Sequence, residues 1–275
     1  GRDTASYQAV WSTWNQHKEK YLANRDLRTA VSLADDCLRL LPQILTGEKL
    51  VTDVLFPDGS MARIEGLYKD NVRSDYYNSV MAQVLVAYVR QRMALEPGAK
   101  LRILEIGAGT GGTTSRVLPS LHAYQDQIHE YCFTDVSQAF LSNAQRQYGA
   151  DYPFLTTRLW DVEKPLAEQG IAPGAYDLVL ATNVLHATRS IRNTLRNTKA
   201  ALAGNGLLVL NEISRKETFQ SLVFGLIDGW SLSEDEELRI PGSPGLAPET
   251  WQYQLEEAGF RSVNFPVVST HQYGN

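Results

Sequence analysis

One histidine and one glutamate stand where they could act together. His186 lies in ATNVLHAT and Glu212 in LNEIS, each just past an apolar run that reads as a strand. If the two strands are neighbours in a parallel sheet, both side chains reach its carboxyl edge. There a carboxylate would fix the tautomer of the imidazole and raise its basicity, giving a base able to take a proton near neutral pH. A solitary histidine more often just packs or hydrogen-bonds, so the pairing rests on the sheet. The second group with chemical meaning is LRILEIGAGTGG, residues 101–112. Gly107, Gly109 and Gly112 fit the dinucleotide spacing GxGxxG, while Gly107, Gly109 and Gly111 fit the GxGxG loop associated with S-adenosylmethionine (SAM). The loop alone does not choose between them. Glu105 leans the choice, because an acidic side chain before the glycines repels a pyrophosphate and suits the ammonium and sulfonium charges of SAM.

Further polar residues recur at strand ends. Asp135 closes IHEYCFTD, where a carboxylate can accept two hydrogen bonds from a ribose diol. Asp161, beside Trp160, either accepts from an adenine amino group or caps the turn over residues 162–165. Asn183 and Gln138 lie near the same edge, as cofactor contacts or as caps. Tyr68, Tyr76 and Tyr77, in the tyrosine-rich stretch GLYKDNVRSDYYN, are candidates to touch a ligand, although tyrosines that anchor a helix are commoner. Arg189, Arg192, Arg196 and Lys199 recur at helical spacing and give one basic face, of the kind that is usually solvated and only sometimes docks a partner.

The elements that must position these groups follow from periodicity. Tyr7, Val10, Trp11 and Trp14, then Leu27, Ala30, Val31, Ala34, Leu38 and Leu41, predict amphipathic helices. VTDVLFPDGS interrupts them with a turn signal that suits a small hairpin or loop. A long helix is predicted over residues 75–93, with Tyr76, Val80, Val84, Ala87 and Val89 on its apolar surface. From Leu101 strand and helix alternate as in a doubly wound parallel sheet. The strands are 101–106, 128–135, 154–160, 176–182 and 207–213, with a turn at Asn205 and Gly206 before the fifth. A helix over 218–227, a Pro/Gly-rich loop, a helix over 248–258 and a sixth strand over 262–268 follow.

The chain has 275 residues with 43% hydrophobic and 21% charged, ordinary for a soluble globular protein. Its formal charge of −5 gives no basic footprint for nucleic acid. No apolar run approaches the roughly 20 residues that span a bilayer, and GRDTASYQ has no signal-peptide core. A cytoplasmic protein without membrane or nucleic-acid partners is the expectation. Cys37 and Cys132 read as free core thiols, not as a disulfide or metal pair. The opening Gly1 suggests a piece of something longer.

EIGAGTGG, FTDVS, LWDVE, ATNVLHAT and LNEISRKETFQSLVFGLIDGW occur in one order, and with them the chain resembles the carbon-methyltransferase domains of modular type I polyketide synthases. The likeness covers essentially residues 1–268. It implies a class I SAM-dependent methyltransferase, a Rossmann-like α/β fold, with a mainly helical N-terminal lid over 1–98 and a SAM-binding core over 99–275. The implied reaction is methylation of the α-carbon of a β-ketoacyl thioester on the phosphopantetheine arm of an acyl carrier protein, with S-adenosylhomocysteine as product and flanking synthase domains as partners. The family's catalytic histidine and glutamate fall on His186 and Glu212. Its SAM-binding positions fall on Glu105, Gly107, Gly109, Gly111, Asp135, Asp161 and Asn183. A seventh, antiparallel strand is not evident in the sequence. Two rivals remain at this point: an oxygen methyltransferase using the same loop, and a non-catalytic insert of a synthase.

Overall fold

The computed structural model describes residues 6–266. Six helices precede the sheet: α1 (Tyr7–Leu22), α2 (Arg25–Arg39), α3 (Leu41–Leu45), α4 (Val51–Leu55), α5 (Ala62–Glu65) and α6 (Val72–Leu95). The longer ones begin where short polar side chains satisfy free amides. Ser6 accepts from Ala9, Asn24 from Asp26 and Asn71 from Ser74. In VTDVLFPDGS the turn signal is met by a 3₁₀ turn over Pro57–Gly59, while the residues before it form α4 and not the arm of a hairpin. Val51, Val54 and Leu55 fall at helical spacing, and all three are buried in a cluster with Leu33, Cys37 and Ile64.

After them come β1 (Leu101–Ile106), α7 (Thr114–Leu121), β2 (Ile128–Asp135), α8 (Gln138–Tyr148), β3 (Leu155–Leu159), β4 (Tyr176–Thr182), α9 (Ile191–Ala201), β5 (Leu202–Asn211), α10 (Thr218–Val223) and α11 (Pro248–Glu257). The strands form one parallel sheet in the order β3-β2-β1-β4-β5. The order reverses at β1, so β1 and β4 diverge in their connections and leave a crevice at their carboxyl ends.

Period-two alternation sorts the strand residues between two cores. Ile103, Tyr131, Phe133, Leu178 and Leu180 face α6, α7 and α8. Leu104, Ile106, Cys132, Val179 and Ala181 face α9 and α11. The helix before the sheet is therefore one of three that cover its first face. Its buried stripe is Asn78, Met81, Ala82, Leu85 and Val89. The predicted stripe was rotated from this: Tyr76 is 55% exposed. An amide sits in the apolar stripe because its hydrogen bonds are met there. Asn78 Nδ2 donates to the Tyr68 carbonyl at 2.9 Å, and Asn78 Oδ1 lies 2.9 Å from the Thr113 hydroxyl.

β5 begins earlier than predicted. Leu202 pairs with Tyr176, and Leu207 with Leu178. The four residues between form an irregularity in which Asn205 takes a positive φ of 62°. The predicted sixth strand is also corrected. The described part, residues 262–266, is irregular, while Val267 and Val268 lie outside the described residues. Ser262 has a φ of 57° and its carbonyl accepts from the Asn264 side chain at 2.6 Å, so the chain curls locally before a ladder can form.

Removing the Asn78 amide strands the Tyr68 carbonyl and leaves the Thr113 hydroxyl with Thr182 as its one partner among the described residues. Asn78→Ala is expected to lose about 1–3 kcal/mol of stability, read as a lower midpoint in chemical denaturation.

Candidate functional site

The β4–β5 register brings His186 and Glu212 together. Thr182 pairs with Asn211, and the chain then leaves β4 through Asn183, whose φ is 53° and whose amide donates to the Asn211 carbonyl at 2.8 Å. This strained residue turns the chain into a short 3₁₀ segment, Leu185–Ala187. The first residue past β5 is Glu212. Its Oε1 accepts from the amides of Val184 at 3.1 Å and Leu185 at 2.9 Å. Its Oε2 lies 2.5 Å from His186 Nδ1 and also accepts from the His186 amide at 3.4 Å. The two side chains are only 7% and 3% exposed.

An ionised carboxylate can only accept, so in the neutral ring Nδ1 carries the proton and Nε2 the lone pair. Nε2 makes no hydrogen bond among the described residues. The pair is thus a buried, oriented imidazole and carboxylate, and the ring nitrogen left free is Nε2.

The glycine loop leaves β1 beside this turn. Gly107, Gly109 and Gly111 have φ of 55°, 55° and 75°. A Cβ on Gly107 would fall 2.3 Å from Val184 Cγ2, and one on Gly112 would fall 2.6 Å from the Tyr68 carbonyl oxygen. The first contact means that the loop and the dyad turn touch. Asp135, buried at the end of β2, accepts from the Gly109 amide at 3.0 Å through one oxygen and from the Ser137 amide at 2.9 Å through the other. Burial pushes its carboxyl upwards, against the pull of the Ser137, Gly109 and Val136 amides.

Glu105 has the same strand parity as Ile103, so it points beneath the loop to α7. It accepts from the Thr114 and Tyr131 hydroxyls, both at 2.6 Å. Burial pushes its carboxyl up to about 7, against the pull of Thr114 and Tyr131, with the Asp135 charge adding to the rise. At neutral pH its charge is therefore only partial, which weakens the argument from charge that the sequence suggested. Its visible work is to join β1 to β2 and to the first residue of α7, the two elements that flank the loop.

Asp161 caps the turn that follows β3. Oδ1 accepts from the Glu163 amide and Oδ2 pairs with Lys164, both at 3.0 Å. Asn183 is exposed at the end of β4. Tyr68 packs against the cluster of the N-terminal helices with Phe219 and Phe224, and meets the loop through its carbonyl. Tyr76 and Tyr77 meet edge to face, 5.3 Å between centroids. None of the three rings hydrogen-bonds to the dyad or the loop among the described residues. The basic face of α9 is met from within the chain. Arg189 pairs with Glu234, Arg192 with Glu237, and Lys199 donates to the Ala258 carbonyl. Cys37 and Cys132 are buried and free, and no helix among the described residues is long and apolar enough to cross a membrane.

Sequence reasoning missed Asn78 and Thr113, which join α6 to the loop. It also missed Asp235 and Arg239, which support the dyad turn. A polar residue inside an apolar helical stripe was the available signal for Asn78. Arg239, in an irregular loop, had none.

Comparison with known proteins places this geometry. Residues 104–208 match the family model described as a methyltransferase domain. Polyketide synthase PksR of Bacillus subtilis (strain 168) is 50% identical over 273 residues, which are 99% of this chain and 11% of PksR. The crystal structure of DszA carbon methyltransferase is 40% identical with a TM-score of 0.85, covering 94% of this chain and 66% of that one. The crystal structure of the trans-methyltransferase CalH in complex with SAH is 32% identical with a TM-score of 0.77, covering 93% and 67%. The chain belongs to the methyltransferase domains of polyketide synthases. Its fold, a helical N-terminal region on a five-stranded parallel sheet, is that of the class I SAM-dependent methyltransferases.

The site of this methyltransferase fits a nucleoside-bearing methyl donor. The loop offers backbone with no Cβ at the crevice, and Asp135 has acceptor capacity left at its rim, since an ionised carboxylate accepts about four hydrogen bonds.

Two outcomes check this description. Gly107→Ala is expected to weaken binding of S-adenosylhomocysteine at least tenfold by calorimetric titration, because its methyl collides with Val184. Glu105 is protonated more readily in the folded than in the unfolded chain, so its contribution to stability is full below about pH 4.5 and lost as the pH rises through about 7. Glu105→Gln is therefore expected to gain on the wild type between pH 5 and pH 8 by about 2–3 kcal/mol, measured by denaturant unfolding at both values.

Proposed function

We propose that this domain is a SAM-dependent carbon methyltransferase acting on the α-carbon of a β-ketoacyl thioester held by an acyl carrier protein in a polyketide synthase. The observation that carries the reading is the 2.5 Å contact between His186 Nδ1 and Glu212 Oε2, which leaves Nε2 as a buried base. DszA, similar over most of this chain, is itself a carbon methyltransferase by name, and CalH was crystallised with SAH.

Gly107, Gly109, Gly111 and Asp135 would hold the donor, with Asn183 and Asp161 at the same edge and Glu105 joining the elements that flank the loop. When bound, SAM supplies an electrophilic methyl group on a positively charged sulfur. His186 Nε2 takes a proton from the α-carbon. That carbon lies between a ketone and a thioester carbonyl, so the electron pair left behind spreads over both oxygens and an imidazole is basic enough to remove the proton. Glu212 keeps the ring in the tautomer that presents Nε2 and stabilises the imidazolium that forms. A hydroxyl substrate would give an ether by the same proton transfer, so the identity of the product decides between carbon and oxygen. The helices before the sheet act as a lid, within the bounds 1–98 that the resemblance implies, with α6 also packed on the sheet of the core. Of the three tyrosines Tyr76 is the exposed one that could meet the acyl chain, whereas Tyr68 packs among the N-terminal helices. Flanking synthase domains deliver the carrier.

His186→Ala should lower the methyl mass gain on a β-ketoacyl carrier protein by about 10²–10⁴-fold, while S-adenosylhomocysteine binding stays within a few-fold. Undiminished methylation removes His186 from the chemistry.

A further inference from the structure

The dyad turn is gripped from two sides, and only one belongs to the dyad. Glu212 takes the amides of Val184, Leu185 and His186. The carbonyls on the other side are taken by Arg239, from the loop between α10 and α11. Arg239 Nη1 donates to the His186 carbonyl at 2.7 Å and to the Pro244 carbonyl at 2.7 Å, and Nη2 donates to the Thr188 carbonyl at 2.9 Å. Arg239 Nε donates to Asp235 Oδ1 at 2.7 Å, and Nη2 also lies 2.7 Å from that oxygen. Asp235 Oδ2 accepts from the Ile191 amide at 2.7 Å, at the start of α9. Thr188 completes the turn, its hydroxyl donating to the Leu185 carbonyl at 2.7 Å.

Arg239 and Asp235 are 8% and 4% exposed. Burying two charges costs free energy that their attraction does not reliably return. A hydrophobic pair would hold the loop down as well. It would not hold three carbonyls of two turns in fixed places. A planar fork with five N–H groups can, and a lysine ammonium with three cannot.

We propose that Arg239, oriented by Asp235, is a positioning residue for His186: it fixes the His186 carbonyl while Glu212 fixes the amide, so that the ring meets the carboxylate in one orientation. The inference rests on the reading of His186 as the base. The imidazole is attached to a backbone unit held at both ends, N–H by Glu212 and C=O by Arg239. Releasing the C=O end lets the turn relax and lengthens the Nδ1 contact, and misplacement on the scale of 1 Å costs about 10²-fold in rate.

The test uses the intact domain. The proton shared by His186 Nδ1 and Glu212 gives a low-field proton resonance in the wild type, assigned by its loss in His186→Ala. In Arg239→Lys that resonance is expected to move upfield or broaden away. kcat for methylation of a β-ketoacyl carrier protein should fall about 10²-fold, while KM and S-adenosylhomocysteine affinity stay within about threefold. Retention of the resonance and of kcat overturns the proposal. So does a parallel loss of cofactor affinity and activity, which assigns Arg239 to folding alone. If Arg239→Lys does not fold, Asp235→Asn, which keeps an acceptor for Ile191 but removes the charge under the guanidinium, is judged on the same criteria. Failure of both variants to fold likewise overturns a positioning role. Full methylation by His186→Ala defeats the base assignment itself, whereas an inactive His186→Ala beside an unaffected Arg239→Lys defeats only the positioning role.

Discussion

A single carboxylate organises the carboxyl edge of this sheet beyond β4 and β5. Glu212 accepts from three successive backbone amides and holds the ring nitrogen of the residue carrying the third. Buried carboxylates are costly unless fully hydrogen-bonded, so the turn at 184–187 and the glutamate need each other: without the turn the charge is unpaired, and without the charge three amides are orphaned. The histidine receives its tautomer and its place from that mutual requirement. The β4–β5 register supplies it, because a shift of one residue would send Glu212 to the other face of the sheet.

The same dependence runs outward to the glycine loop. Gly107 leaves no room for a side chain beside Val184, so the loop and the dyad turn are packed as neighbours. Asp135 ties the loop to β2, Glu105 ties β1 to the start of α7 on the loop's far side, and Thr113 is joined through Asn78 to α6 and Tyr68. Each tie is a buried or partly buried polar contact, and such contacts define one arrangement where apolar packing would tolerate several. Asn183 in a left-handed conformation belongs with these features, a strained residue at the crevice held by its bond to Asn211.

Much of this was legible in the sequence, for physical reasons. Apolar runs gave β1, β2 and β4 with their observed ends, since buried parallel strands leave unmixed patterns. The adjacency of β4 and β5 followed from the alternation of strand and helix, and with it the meeting of His186 and Glu212. Long-range polar partners were not legible. Nothing local in ELRIPG indicates that Arg239 reaches the His186 carbonyl, because that contact is made by tertiary packing. Asn78 broke an apolar stripe, but its partners lie 35 residues away at Thr113 and 10 away at Tyr68. Pattern also misled. VTDVLFPDGS has its turn at Pro57–Gly59, but Val51, Val54 and Leu55 before it bury as a helix where a hairpin would need a strand. The apolar tail at 262–266 lacks a strand because Ser262 and Asn264 close a local turn.

The central claim is that the buried imidazole serves carbon–carbon bond formation. The direct measurement is carbon NMR of the product formed from SAM enriched with ¹³C in its methyl group and a β-ketoacyl carrier protein enriched with ¹³C at the α-carbon. The account predicts a one-bond coupling between the two labels, absent when His186 is replaced by alanine. A labelled methyl group on oxygen, without that coupling, would contradict it.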